Sequence, residues 1–135
     1  MVFNDTQPLE PRGYLVLDYL YCDAGNYKSF GSAWFKGVLT AAKCEELIAC
    51  FEGHEFFVAE QIGVPSLYAA LFELSGGPNE DDHAWHRFEG LRIEEEISGK
   101  DRATEQAVSF LASCRAAKGN WRPEMSPAYY SRTRT

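Results

Sequence analysis

An aspartate pair followed by two histidines is the part of this sequence that most resembles a metal or acid-base site. The run reads Asp81-Asp82-His83-Ala84-Trp85-His86. Imidazoles and carboxylates bind zinc when they converge within about 2.0–2.2 Å of one ion. We expect this segment to enter a strand, where the odd spacing of His83 and His86 sends them to opposite faces. The sequence therefore predicts no metal and no cofactor, and leaves Asp82 and His86 as candidates for acid-base catalysis or as ordinary half-buried residues.

Two further acids lie within apolar strand-like runs. Asp18 stands in "LVLDYL" and Glu60 in "FVAEQI". A carboxyl group buried in such surroundings is costly unless it is paired, and its raised pKa suits a general acid or base. The alternative is that both acids point into water from an open sheet face. With Asp82 and His86, Asp18 and Glu60 complete the predicted catalytic set.

Amphipathic rings offer a second kind of site. Nineteen residues are aromatic (nine Phe, seven Tyr and three Trp), and such rings can line a pocket for a flat or apolar small-molecule ligand. The candidates are Tyr19, Tyr27, Trp34 and Trp85. The alternative is that these rings belong to the core.

Other catalytic signatures do not occur. Gly76-Gly77-Pro78 lacks the Lys and Ser/Thr that grip phosphate, and no GxSxG, HExxH or GxGxxG motif is present. The four cysteines, Cys22, Cys44, Cys50 and Cys114, have no paired spacing. We therefore expect four free thiols in a reducing, cytoplasmic compartment.

Charge and hydropathy exclude two classes of partner. The net charge of −7 makes the body acidic, apart from a basic tail over 120–135, so we expect no nucleic-acid binding. No apolar run approaches about 18 residues and the N-terminus lacks the apolar part of a signal peptide, which predicts no membrane association.

The elements that must position these residues follow from periodicity and turn signals. We predict a loose arm over 1–12, then one domain over 13–119. Strands at 13–22 and 28–39 form a hairpin, with Gly31 marking a bulge, and a helix over 41–52 begins at Thr40 and ends at Gly53. Further elements are a strand at 55–62, a helix at 66–74, a strand at 83–96 with a bulge at Gly90, and a helix at 102–117 capped by Asp101. The predicted fold is α+β, a largely antiparallel sheet of about four strands with three helices in the order ββαβαβα.

The predicted helix over 66–74 is apolar on almost every side. One flank covers a sheet, and the other needs a partner, most simply a second copy of the chain. The sequence therefore predicts a homodimer whose interface includes Leu67, Tyr68, Leu71 and Phe72. The alternative is that a loop or the C-terminal tail folds over the strip and keeps the chain monomeric.

Three stretches carry a resemblance to known proteins: "DYLYCDAGNYKSFG" (18–31), "FFVAEQIGVPSLYAALFELSGGPNEDDHAWH" (56–86) and "RFEGLR" (87–92). In them the chain resembles a group of short, uncharacterised bacterial proteins, of the kind carried on mobile elements such as integron gene cassettes. The resemblance covers roughly residues 14–92, and it implies no activity.

The expected function is therefore a small binding or protein-interaction module that self-associates. The alternative is a small acid-base enzyme, a hydrolase or lyase, that uses Asp or Glu with His. An enzyme needs these groups at one concave site, whereas a module needs only an apolar or aromatic patch.

Overall fold

The strand β1, Tyr14–Cys22, lies inside the sheet because almost all of its side chains are apolar or aromatic. Both of its edges are paired, with β2 (Lys28–Lys36) on one side and β4 (Trp85–Glu94) on the other, and the short strand β3 (Phe56–Val58) pairs with the far edge of β4. The computed structural model describes residues 13–23, 25–69, 83–95, 103 and 105–126. These residues form a four-stranded antiparallel sheet in the order β2-β1-β4-β3.

The predicted hairpin is confirmed. β2, Lys28–Lys36, pairs with β1 in one unbroken register from Tyr14 opposite Lys36 to Cys22 opposite Lys28. Asn26 takes the positive φ, 69°, that the connecting turn requires. The predicted bulge at Gly31 is wrong, because this glycine keeps the regular register. It instead allows the side chain of Leu67 to approach the strand.

The bulge predicted at Gly90 is confirmed. In β4, Trp85–Glu94, the partner of Asp18 is Gly90 while the partner of Tyr19 is Phe88. Glu89 is therefore the extra residue, and it bends the strand at that point. Beyond β4 lies the short edge strand β3, Phe56–Val58.

Three complete α-helices lie among the described residues and accompany the sheet. α1, Ala41–Ala49, begins as predicted at Thr40, whose side chain accepts a hydrogen bond from the Lys43 N–H, but it ends at Cys50, before Gly53. The predicted strand over 55–62 is wrong in its second half. Ala59–Ile62 forms the short helix α2, closed by Gly63 at φ 77°. α3, Ala107–Ala117, is preceded by Gln106, so Asp101 does not cap it.

The core lies between one face of the sheet and the helices α1 and α3. We call this the helix face; the opposite one is the outer face. Phe35 of β2 stacks on Phe110 of α3 with ring centroids 4.1 Å apart, and Phe51 and Phe57 pack at 4.9 Å beside it. The buried residues on the helix face of β1 are Leu15, Leu17, Tyr19 and Tyr21.

The α+β class is confirmed, and the described elements follow the predicted order ββαβαβα. The short helix α2 is not one of the predicted helices, and it precedes the helix predicted over 66–74. Most of that predicted helix, from residue 70, lies outside the described residues. So do the arm over 1–12, the acidic loop over 78–82 and most of the tail over 120–135. None of the helices in the described ranges is long and apolar enough to cross a membrane.

Candidate interaction site

The outer edge of β2 has main-chain groups directed away from the sheet. In an antiparallel ladder, successive residues point their N–H and C=O groups alternately to one side and the other. The Gly37 N–H donates to Gly13 on the β1 side, whereas the Lys36 N–H donates to the Glu105 carbonyl on the opposite side. Every second residue of β2, counted back from Lys36, therefore directs its main-chain N–H and C=O groups away from β1.

These outward residues include Lys28, Phe30 and Ser32. Within the described part of the chain, no residue hydrogen-bonds to their main-chain groups. Towards its C-terminal end the same edge is closed, because Lys36 forms a parallel bridge with Gln106. The open part of the edge is thus a short stretch at the N-terminal end of β2.

Exposed aromatic side chains stand on this stretch. Phe30 is 67% exposed and Tyr27, just before the strand, is 65% exposed. A regular strand with unpaired main-chain groups and exposed rings is a template for pairing with another strand. Lys28, also exposed, adds a positive charge beside them.

Two clefts flank this edge and share Ser32. The first, with a volume of about 500 Å³, lies by the helix face and is lined by Ser32, Ala33, Trp34, Phe35, Gly63, Val64, Pro65 and Glu105. The second, about 450 Å³, is lined by Asp18, Tyr19, Phe30, Gly31, Ser32 and Glu89. We call them the Glu105 cleft and the Glu89 cleft. Each has an acidic side chain in its wall.

Asp18, which lines the Glu89 cleft, already has partners in Ser32 and Arg92. Its carboxylate accepts a hydrogen bond from the Ser32 hydroxyl and lies 2.8 Å from Arg92 Nε. Partial burial opposes the charge, but the hydrogen bonds from Arg92 and Ser32 and the nearby guanidinium outweigh it, so the pKa of Asp18 falls below its usual value. Asp18 is thus a stable anion on the outer face, away from Glu60 and His86.

Two of the predicted catalytic residues do come near each other, on the helix face. The Tyr68 hydroxyl donates to Glu60 Oε2, and the Tyr68 ring centroid is 5.8 Å from that of His86. Ser126 bonds both Glu60 and Tyr68 at 3.3 Å. Asp82 lies outside the described residues. We call Glu60, Tyr68, His86 and Ser126 the inner polar cluster.

His86 is held as a structural group in this cluster. Its Nε2 atom accepts the Leu67 N–H at 2.9 Å, so the proton of the neutral ring is on Nδ1. Burial lowers the pKa of His86 to about 4, and the ring is fully enclosed. Within the described residues, His86 Nδ1 and Glu60 Oε1 have no hydrogen-bond partner.

The two histidines do not lie on opposite faces. His83 precedes the first residue of β4, so strand alternation does not reach it. Both rings contact Tyr21, with centroid distances of 5.0 Å for His83 and 5.4 Å for His86. His83 accepts the Trp85 N–H on Nδ1 and contacts the Cys22 carbonyl through Nε2. No group of three His, Cys, Asp or Glu that could hold a metal ion occurs among the described residues.

The predicted ligand-binding rings are divided between the surface and the core. Trp34 lines the Glu105 cleft, and Tyr27 is exposed beside the open edge. Tyr19 is buried, with its hydroxyl donating to the Pro65 carbonyl, and Trp85 packs near Trp121. The structure therefore places two of the four rings at the edge of β2.

The predicted interface residues are also divided. Tyr68 is only 5% exposed, because it packs against Tyr21 and His86, and it is not available to a partner. Leu67 lies over Gly31, next to the open edge. Leu71 and Phe72 lie outside the described residues.

Sequence analysis missed Phe30, Lys28, Glu89 and Glu105. Phe30 and Lys28 share a face with Ser32 in the alternating run "KSFGS". An aromatic residue between polar neighbours on that face was a signal for an exposed strand.

Comparison of the chain with protein-family models, with curated proteins and with solved structures gave no match.

Proposed function

We propose that the protein is an interaction module that self-associates by adding a strand to the outer edge of β2. This proposal rests on the outward main-chain groups of Lys28, Phe30 and Ser32. No residue in the described part of the chain forms a hydrogen bond with these groups. Strand addition supplies those groups with hydrogen bonds and covers the exposed ring of Phe30. The resulting assembly is a homodimer.

Light scattering coupled to size exclusion tests the proposal. We expect a mass of twice the chain mass of 15.2 kDa, falling towards one chain on dilution. A mass of one chain that stays constant up to high concentration would reject self-association.

A pair of variants at one position tests the use of the strand edge. Phe30→Pro removes an outward N–H without removing a hydrogen bond to β1, and proline is tolerated at such edge positions. Phe30→Ala removes the ring but keeps the N–H. We expect the dimer dissociation constant to rise by about thirtyfold more for the proline than for the alanine, since a two-fold pair loses two hydrogen bonds of about 1 kcal/mol each. Equal effects would show that the main chain takes no part.

The acid-base enzyme has less support from the same geometry. An acid-base catalyst must exchange a proton with a substrate at an accessible atom. His86 is enclosed, its Nε2 lone pair is taken by the Leu67 N–H, and Glu60 is bonded by Tyr68 and Ser126. Asp18 lies on the outer face with Arg92. The inner polar cluster therefore suits a role in holding α2 and the 64–69 segment against the sheet.

A further inference from the structure

Building on the proposed self-association, we infer that two copies pair β2 with β2 antiparallel, about a two-fold axis that passes at Phe30. In this register Phe30 faces Phe30, and Lys28 of each copy faces Ser32 of the other. Three features of the edge select it: which main-chain groups are open, where the charges lie and where the exposed rings can go.

The open main-chain groups select the centre of the pairing. They belong to Lys28, Phe30 and Ser32, and Phe30 is their midpoint. A two-fold axis at Phe30 matches all three residues with the same three residues of the second copy. Shifting the axis to Ser32 would place Lys28 opposite Lys36, whose N–H is already bonded to Glu105 and which carries the same charge.

The charges fit the same register. Side chains of Lys28, Phe30 and Ser32 all lie on the outer face, next to Cys22, Leu20 and Asp18 of β1. Lys28 of the second copy, opposite Ser32, thus comes to the Glu89 cleft. Asp18 is already paired with Arg92, whereas the contact of Glu89 with Arg87, at 3.8 Å, is the one ion pair that Glu89 makes with the described residues. An incoming lysine therefore adds a positive charge beside a cleft that contains two carboxylates, twice in each dimer.

The exposed rings also fit. Phe30 meets its own copy across the axis, where cross-strand aromatic pairs are favourable. Tyr27, three residues before Phe30, comes opposite Ala33 of the second copy. Alternation directs it to the helix face, where the Glu105 cleft offers Val64 and Pro65 as an apolar wall. Both aromatic side chains of the edge are therefore covered in one arrangement.

Disulfide trapping tests the register. Directly opposite residues of a hydrogen-bonded antiparallel pair have Cα atoms about 5.5 Å apart, within reach of a disulfide. The background carries Cys22→Ser and Cys44→Ser, because Cys22 lies opposite Lys28 within the hairpin and Cys44 is partly exposed. Into it we would place Phe30→Cys, Lys28→Cys or Ser32→Cys, and follow covalent dimers by non-reducing mass spectrometry.

We expect Phe30→Cys to cross-link with itself in nearly all chains. Lys28→Cys and Ser32→Cys should each fail alone, since the two copies of one position are then four residues apart, about 13 Å. An equal mixture of these two variants should form cross-linked heterodimers, because Lys28 of one copy lies opposite Ser32 of the other. The mixture thus controls for the reactivity of the two cysteines that fail to cross-link alone.

Other outcomes separate the two proposals. Ser32→Cys cross-linking with itself, or Phe30→Cys with Ser32→Cys, in a chain that still dimerises would overturn the register and leave strand addition standing. Cross-linking in none of these samples, with a one-chain mass by light scattering, would overturn both.

Discussion

The side chain of Leu67 occupies the space that a side chain on Gly31 would need. An ideal Cβ at Gly31 would lie 2.7 Å from Leu67 Cδ2, closer than carbon atoms approach. The Leu67 N–H is at the same time bonded to His86 Nε2 on β4. Leu67 is thus fixed between β2 and β4, and no larger residue fits at position 31 without moving it.

Gly31→Ala should therefore destabilise the protein by about 1 kcal/mol, because the Leu67 side chain must move and the lower entropy of the unfolded chain offsets part of that cost. Gly90→Ala is the matched control, because nothing lies within 4 Å of its ideal Cβ and its φ is not in the left-handed region. Urea denaturation of both variants measures the difference. Adding Leu67→Ala to Gly31→Ala should recover part of the loss in Gly31→Ala; equal stability of Gly31→Ala and Gly90→Ala would contradict the packing described here.

The protonation of His86 should make stability depend on pH. Burial lowers its pKa to about 4 in the folded protein, against 6.5 for the exposed side chain. Between these values the unfolded chain binds the proton and the folded chain does not, so stability rises with pH from about 4 to about 6.5. The expected gain is on the order of 3 kcal/mol.

The comparison with a variant isolates this contribution from that of the carboxylates. In His86→Gln the glutamine oxygen can still accept the Leu67 N–H, and the rise in unfolding free energy between pH 4 and 6.5 should be smaller. His54→Gln, at an exposed position in a turn, should keep the wild-type slope. A slope unchanged in His86→Gln would show that His86 has no such role.

Tyr68→Glu should unfold the protein instead of merely dissociating a dimer. The ring is buried against Tyr21 and His86, and a second carboxylate there would face Glu60. Tyr68→Phe keeps the ring and removes only the hydroxyl that donates to Glu60, a loss of about 1–2 kcal/mol. Circular dichroism with thermal melting distinguishes the two; a folded, monomeric Tyr68→Glu would mean that this ring lies on the surface.

Reversing charges across the proposed dimer should weaken it, and reversing both should restore it. Lys28→Glu and Glu89→Lys each weaken the attraction between the incoming residue 28 and the acidic cleft at two symmetry-related places, so the dissociation constant should rise about two- to fivefold at low salt. The double variant should return to near the wild-type value. Sedimentation equilibrium measures all three, and a double variant weaker than both single ones would exclude contact between these residues.

The cysteines should react with a thiol reagent in two groups. Cys50 and Cys114 are buried, and burial raises the pKa of both thiols, most strongly at Cys114. Cys22 and Cys44 are only partly buried. Labelling at pH 7.5 followed by peptide mapping should find Cys22 modified first and Cys114 only after unfolding. Modification of Cys114 at the rate of Cys22 in folded protein would contradict the packing of α3.

Local patterns predicted local structure well. Thr40 caps α1, Asn26 turns the hairpin and Gly90 stands beside the bulge, each through chemistry contained in a few neighbouring residues. The strand predicted over 55–62 is wrong in its second half, because a short apolar run fits a buried strand or a buried helix equally well. Its change of structure at Ala59 depends on packing against distant residues.

The candidate site depended more on strand order than on residue type. Glu60 and His86 come together near Tyr68, as two of the proposed acid-base residues, because β3 and β4 are neighbours. Asp18 does not join them, because its place in β1 directs it to the outer face. That β2 lies at an edge, which makes Lys28 and Phe30 available, follows only from pairing between residues far apart in the chain, and no local pattern encodes it.

The bond between Lys36 and Glu105 has a consequence for the protein as it is being made. β1 and β2 leave the ribosome early and can close into a hairpin, whereas Glu105 and Gln106 emerge much later. Until then the Lys36 end of β2 lacks the cover that Gln106 finally gives it. Hairpins of nascent chains on one messenger RNA can therefore meet in several alignments. Once Glu105 and Gln106 have emerged, they close the Lys36 end, and the proposed pairing then uses the stretch centred on Phe30.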